Sequence, residues 1–428
     1  MDEVKAPVKP FDISEREVWR AWEKVRGNQG GAGVDGVSVG AFEEKVHDNV
    51  YKIWNRMASG TYFPPAVRAV PIPKPNGGRR ILGVPTVGDR VAQTVVAEHL
   101  MAGAEPVFHR DSYGYRPRRG ALDAVAVCRK RCWDLDWVVE FDITRFFDSV
   151  PWDKIVACVQ AHTEARWVVL YVRRWLAAGL AMPDGSMSER DLGTPQGSAV
   201  SPVLANLFLH HVFDVWMGRE FPDCPFERYA DDGVVHCRSL GRAQRVLAAV
   251  VARFAQVGLE VHPDKTRIVY CGSGRGKGGG PGVGWLQTSF TFLGFTFRAR
   301  KAVGRDGTYF TGFLPAISDQ ALKRLSAVVR GWDLHRRTEY SRQMLARMIN
   351  PVLAGWMAYY GRFYRSELYP LFHRIDTYLL RWIKRKYRVG TKEAERRLVQ
   401  GFRLWPHLYK HWKWTPPAGA AHRATRAV

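Results

Sequence analysis

The hydrophobic pattern divides the chain into three regimes. Up to about residue 60 apolar positions recur at helical spacing among polar ones: Val18, Trp19 and Trp22 make a stripe, and Ser14 stands as the N-cap. Between 66 and 84 two short runs flank the turn PNGG and predict a hairpin. A helix is expected from about Ala121, and Val138, Val139, Phe141 and Ile143 then read as a buried strand. Gly193, Pro195 and Gly197 predict a kinked loop ahead of an amphipathic helix that opens on Ser201 and Pro202. In FERYADDGVVHC, Phe226 to Cys237, β-prone residues flank two acids, which predicts a tight hairpin with both acids at its tip and Gly233 as the turn residue. Strand alternation returns in FTFLGFTF at 290. From Ser318 the spacing is helical. Leu322, Leu325, Val329 and Trp332 form one stripe; Leu345, Met348 and Ile349 lead to Asn350-Pro351, read as a new cap; Leu371, Ile375, Tyr378, Leu379 and Trp382 form another stripe.

This order predicts a helical extension over residues 1–60, a mixed α/β body over 61–312, a helical domain over 313–395 and a basic aromatic segment over 396–428. At 428 residues the chain can bury a substantial core in two or three domains. Charge adds a partner to that picture. The net charge of +23 points to a polyanion, and from position 320 onward 23 Lys and Arg face 6 Asp and Glu, so 17 of the net charges lie in the last quarter. Each helical stripe there carries Lys or Arg opposite, including Arg381, Lys384, Arg385 and Arg388, a face suited to a nucleic-acid backbone.

No basic segment followed by an apolar core opens the chain, and every long apolar run is interrupted by charge, His or Gly. A cytoplasmic location and no membrane partner are therefore expected. The six cysteines, at 128, 132, 158, 224, 237 and 271, include no CxxC pair, which argues against a disulfide framework and a zinc ribbon. Cys128 with Cys132, and His407 with His411, lie one helical turn apart and read as packed or surface helix residues. GNQGGAGVDG and the glycine-rich run 272–284 lack the Lys-Ser/Thr of a phosphate loop, so both are expected to be loops.

The candidate chemistry centres on Asp231 and Asp232. Adjacent carboxylates repel unless water solvates them or a cation lies between them, and hard divalent ions prefer an all-oxygen site. A solvated Asp-Asp-Gly turn is the plain alternative. A third acid, Asp142, at the end of the strand before a helix start, would complete a cradle for two Mg²⁺ ions able to clamp the oxygens of a phosphoryl transfer. Lys74 and Arg80, on either side of the PNGG turn, offer an ammonium and a guanidinium fork to a triphosphate, or form a solvated basic hairpin. Tyr113, Arg116 and Arg118 in SYGYRPRRG combine rings with guanidiniums, as a template strand would require. Phe146 and Phe147 follow Asp142 closely, where a ring could exclude a 2′-hydroxyl; a core pair is the rival account. Gln196 sits on the kinked loop, its amide available to an incoming nucleotide or to the loop backbone. Gly294 permits a close backbone approach, read here as that of a primer.

Several collinear segments carry a resemblance: NQGGAGVDGVS at 28, IPKPNGGRRILGVPTVGDRVAQ at 72, SYGYRPRRGALDAV at 112, the Asp142 segment, GTPQGSAVSPVLANLFLHHVFD at 193, YADD at 229, GLEVHPDKTRI at 258, FTFLGFTF at 290 and GWMAYYGRF at 355. In this order, from about 25 to about 390, the chain resembles the reverse transcriptases encoded by group II introns, which also act as splicing maturases. The resemblance implies a right-hand polymerase, α/β fingers and palm followed by an α-helical thumb or maturase domain, in a compact form without an endonuclease module. It implies metal ligation by Asp142, Ile143, Asp231 and Asp232, catalysis by the three acids, and nucleotide contacts from Lys74, Arg80, Gln196 and Phe147, the last as sugar gate. It implies two Mg²⁺ ions, dNTP substrates, an RNA template, a DNA primer or target, and a structured group II intron RNA as partners. Trp152 departs from the His often found at that place. A related polymerase recruited to host defence or DNA repair, and a non-enzymatic RNA-binding splicing cofactor, are the competing functions.

Overall fold

The computed structural model describes residues 9–73, 78–272, 287–304 and 306–420; Lys74 and nearly all of the glycine-rich run fall outside them. The chain divides into two compact units, Met1–Gly120 with Val139–Arg267 and Ala121–Val138 with Ile268–Val428.

The first unit begins with the helix Glu15–Asn28, started by a complete capping box between Ser14 and Glu17, an arrangement worth about 1 kcal/mol. It buries Val18, Ala21, Trp22 and Val25, while Trp19 stays partly exposed and stacks near His47. The strands Val67–Pro73 and Arg79–Val84 pair antiparallel from Arg68↔Val84 to Pro73↔Arg79. Two further short strands extend this sheet. The two strands flanking PNGG thus pair as expected, while residues 74–77 of the turn between them lie outside the described residues. Behind it, the helix Val87–Ala104 carries a buried polar chain: Asp89 accepts from Tyr62, Trp175 and Gln93, and Gln93 Oε1 accepts from Ser198 Oγ at 2.7 Å and the Ala199 N–H at 2.8 Å.

The helix opening on Ser201 is not amphipathic. Ser201, Val203 and every residue from Leu204 to Leu209 are buried, so it is a core helix wrapped on all sides. It continues through a π-turn, His210–Asp214, into Val215–Glu220.

In the second unit the helix Ala121–Asp134 buries Cys128 and Cys132, and Trp133 Nε1 donates to the Phe313 carbonyl at 3.1 Å. The strands Ser289–Phe292, Phe295–Val303 and Tyr309–Ile317 form an antiparallel sheet. The last of them runs straight through 313, the expected start of the helical domain, and the first helix begins instead at Asp319 under a Ser318 cap.

Proline 351 does not end a helix: Arg342–Tyr360 is continuous with Pro351 inside it. An interior proline costs about 3 kcal/mol, but Leu345, Ala346, Ile349 and Leu353 on either side are buried, and each large apolar side chain contributes about 1.5–3 kcal/mol. Asn350, read as a cap, instead ties down the chain's end, donating to the Leu408 carbonyl and accepting from the Lys410 N–H. Tyr369–Tyr387 matches the expected last stripe, and a further helix, Thr391–Leu404, runs across the 395/396 boundary.

The aromatic segment after it faces inward. Tyr409, His411 and Trp412 are buried, and Asp376 Oδ1 accepts from Trp412 Nε1 and pairs with His411 Nε2, both at 2.9 Å. These three side chains close the helical core, while Trp405 of the same segment is exposed. Of the two histidines one turn apart, His407 is exposed and His411 belongs to this core.

Candidate active site

Strand Phe226–Tyr229 pairs with Asp232–Cys237 in the register Tyr229↔Asp232, leaving Ala230 and Asp231 as the two-residue turn. The left-handed residue is Ala230, at φ 57. Gly233 is therefore not the turn residue but lies within the strand, and its lack of a side chain has another cause. A Cβ there would stand 2.1 Å from the Phe141 ring, so glycine lets strand Trp137–Phe141 close on the hairpin. That contact brings the chain just before Asp142 against the chain just after Asp232.

The electrostatics follow from this packing. Crowding by protein, then the charges of Asp231, Asp142 and Glu140, push the Asp232 carboxyl up to about 7 against the pull of Lys265, although the residue keeps one face open to solvent. Burial and Asp142 likewise raise Asp231, opposed by its own backbone N–H, Arg80 and Lys265. Acids that repel their own ionisation are a site short of positive charge, and their all-oxygen donor set suits a hard divalent cation. Ile143 has a buried side chain. Its bridge to Val261 uses the Asp142 carbonyl and the Thr144 N–H, so Ile143's own backbone groups take no part in that ladder.

Beside the acids lies a second cluster. Phe146 is buried while Phe147 is partly exposed, the two rings edge to face at 5.4 Å. The loop at Gly193 is tied to this point by Thr194 N–H to the Phe147 carbonyl, Gly193 N–H to Val150, and Trp152 Nε1 to the Gly193 carbonyl at 2.8 Å. The indole at 152 therefore secures the loop. The Gln196 carbonyl accepts from Gly83 N–H at 2.7 Å, which fixes the other side of the loop to strand Arg79–Val84. As a result Arg80 Nε donates to Gln196 Oε1, and Gln196 Nε2 donates to Asp148 at 3.5 Å. The Gln196 side chain thus bonds side chains and not the loop backbone.

Two expected template contacts are absorbed by the fold. All five N–H groups of Arg116 are engaged, by Glu105 side chain and carbonyl and by the carbonyls of His109 and Ser112. A buried guanidinium so satisfied has nothing left for a phosphate. Tyr113 is buried too, while Arg118 is exposed. The ring presented toward the acids is Tyr115, half exposed, 6.5 Å from the Tyr229 ring; burial and then Asp231 raise its hydroxyl. Gly294 shapes a turn at φ 80 between Phe292 and Phe295, and its near neighbour is the Tyr360 hydroxyl of this chain. Arg381, Lys384, Arg385 and Arg388 are all exposed.

Tyr115 and Lys265 are not among the residues that the sequence singles out. Each lies within a quoted segment, SYGYRPRRG and GLEVHPDKTRI, but residue type alone could not rank Tyr115 above Tyr113 or single out one lysine.

The family described as reverse transcriptase (RNA-dependent DNA polymerase) matches residues 72–297. Residues 322–400 match the group II intron, maturase-specific domain. Among similar proteins, the group II intron-encoded protein LtrA of Lactococcus lactis subsp. cremoris is 31% identical over 196 residues, 45% of this chain and 32% of LtrA. Protein YkfC of Escherichia coli (strain K12) is 30% identical over 195 residues, 44% of this chain and 50% of YkfC. The matched stretch thus spans a third to a half of these relatives. A telomerase from Candida albicans, solved in complex with a TWJ fragment of telomeric RNA, overlays 82% of this chain and 66% of its own at a TM-score of 0.45 and 12% identity.

Proposed function

Since this chain belongs to the reverse transcriptase (RNA-dependent DNA polymerase) family, we propose that it copies an RNA template into DNA and, through its maturase-specific domain, binds a structured group II intron RNA, assists its splicing and copies it during retrohoming. The observation that carries the reading is the convergence of Asp142 on the Asp231-Asp232 turn, brought about by the Phe141 ring closing over Gly233, with the Asp142 charge helping to raise both turn carboxyls. In this reading Asp142, Asp231, Asp232 and the Ile143 carbonyl would hold two Mg²⁺ ions. Bound there, the ions supply a clamp on the attacking and leaving oxygens of nucleotidyl transfer.

The chain's own groups do the rest. Arg80 holds the dNTP triphosphate as a bidentate fork, with Lys74 as a point charge beside it. Gln196, held between Arg80 and Asp148, aligns the nucleotide. The Phe147 ring lies under the sugar and leaves no room for a 2′-hydroxyl. The exposed guanidiniums and ammonium at 381, 384, 385 and 388 neutralise RNA phosphates. Among the described residues no helix is long and apolar enough to cross a membrane, and the setting is taken as cytoplasmic.

Asp231→Asn tests the catalytic half. Extension of a DNA primer on RNA should vanish while RNA binding stays near wild type, because a metal ligand is lost and not a phosphate contact. Residual extension above about a tenth of wild type would refute it. Sequencing RNA that copurifies with the protein tests the partner: one structured intron supports the maturase role, and diverse cellular RNA supports a recruited polymerase.

A further inference from the structure

Arg228 lies in the interior of the first unit, 1% exposed within strand Phe226–Tyr229. An arginine taken from water costs several kcal/mol unless every N–H is matched. Here they are. Nε donates to Asp214 Oδ1 at 2.7 Å, and Nη2 donates to Asp214 Oδ2 at 2.6 Å and Ser112 Oγ at 2.9 Å. Nη1 donates to Asn206 Oδ1 at 3.1 Å and to the carbonyl of Ala230 at 3.0 Å.

The last of these contacts reaches the turn. Ala230 holds a left-handed conformation, which costs a residue with a Cβ about 1–2 kcal/mol and persists only where neighbours enforce it. Two neighbours do so. Arg228 holds its carbonyl, and the Gly114 backbone lies against its nitrogen, so close that a Cβ at Gly114 would be 2.4 Å away. Asn206 links the two, accepting from Arg228 and donating from Nδ2 to the Gly114 carbonyl at 2.7 Å.

The π-turn His210–Asp214 explains how one helix supplies both partners. Residues eight apart on an α-helix diverge by roughly a quarter turn, but an i→i+5 turn absorbs one extra residue. Asn206 and Asp214 then face as residues about seven apart would, nearly two full turns. Burial pushes the Asp214 carboxyl up, yet the Arg228 fork outweighs it and holds the group below its usual range.

We propose that Arg228, with Asp214 and Asn206 behind it, is the positioning residue of the catalytic turn: by fixing the Ala230 carbonyl it sets the angle at which Asp231 and Asp232 are presented. This rests on the polymerase reading of the site. Arg228 touches no substrate and acts through the turn alone.

Two variants of the full chain test it. Arg228→Lys keeps the charge but loses the fork, while Asn206→Ala keeps the Arg–Asp pair and removes one acceptor and the tie to Gly114. Each is measured for thermal midpoint, for binding of an RNA template annealed to a DNA primer, and for single-turnover extension across a MgCl₂ series. Both should bind the duplex within about twofold of wild type, extend it at least about tenfold more slowly at saturating Mg²⁺, and need about threefold more Mg²⁺ for half-maximal rate, as a misset ligand angle requires. If Arg228→Lys does not fold, Asn206→Ala decides. Activity lost only in proportion to unfolded protein, with unchanged Mg²⁺ dependence, would make Arg228 a fold residue and overturn the proposal. Failure of the wild type itself to extend any primer would instead overturn the polymerase reading, and this inference with it.

Discussion

Lys265 Nζ donates to Asp142 Oδ2 at 2.7 Å, an ion pair in which the lysine side chain is 61% exposed and the aspartate only 19%. The ammonium thus occupies one oxygen of the acid that the site would give to a divalent ion. Such half-exposed pairs are worth at most about 1 kcal/mol. Lys265→Met should therefore lower the MgCl₂ concentration that raises the protein's thermal midpoint halfway, by about two- to fivefold. A higher requirement would mean that the lysine supports the cradle.

Phe147 projects from the same segment as buried Phe146 but keeps part of its ring exposed. Phe147→Ala should open the space below the sugar without touching the acids. The ratio of ribo- to deoxynucleotide incorporation should rise about tenfold or more, the usual worth of one contact in a tight pocket. An unchanged ratio would move the gate to another residue.

Asp89 gives a pH dependence with a definite sign. Burial pushes its carboxyl from 3.8 to about 6, while donations from Trp175, Tyr62 and Gln93 hold it down. The folded chain binds this proton more tightly than the unfolded chain, so the stabilisation linked to Asp89 is complete below 3.8 and is lost as pH rises through about 6. Relative to Asp89→Asn, the wild-type unfolding free energy should fall by ~2.4 kcal/mol between about pH 4 and pH 7. Denaturant titrations at several pH values read this directly, and parallel curves would sink the idea. The network also ends at Ser198 and Ala199, next to the Gln196 loop.

Much of this was legible in the sequence, for identifiable reasons. Ser14 as an N-cap, Val138 to Phe141 as a buried strand, and the two strands of the 226–237 hairpin formed as expected, although the turn between the strands is Ala230-Asp231. The misreadings share a different cause, tertiary override. Pro351 reads locally as a stop, but packing on both sides carries the helix through it. Arg116 and Tyr113 look like a nucleic-acid surface until Glu105 and nearby carbonyls absorb the guanidinium. Gly233 looks like a turn until the Phe141 ring fills the place of its side chain. For Gly233 the deciding neighbour, Phe141, lies far away in the chain, and for Arg116 it is Glu105 at the end of the preceding helix; local spacing carries no information on either.

The splicing role makes a different demand from polymerisation, since folding an RNA needs a preorganised basic surface and no catalytic ion. Arg381, Lys384, Arg385 and Arg388 lie exposed at the end of helix Tyr369–Tyr387 and just past it, with Arg381 over the Tyr378 ring and Lys384 donating to Thr391. These contacts order the side chains without consuming the charge. Replacing all four with Gln should weaken intron binding and lower the magnitude of its salt slope by roughly 0.7 to 0.9 per lost phosphate contact. Asp232→Asn should do the opposite, stopping cDNA synthesis while splicing of the cognate intron at low Mg²⁺ still responds to the protein. The two variants therefore dissociate the activities in both directions. A quadruple variant that binds and splices as wild type would place the RNA surface elsewhere, and an intron indifferent to the wild-type protein would leave polymerisation as the chain's only proposed work.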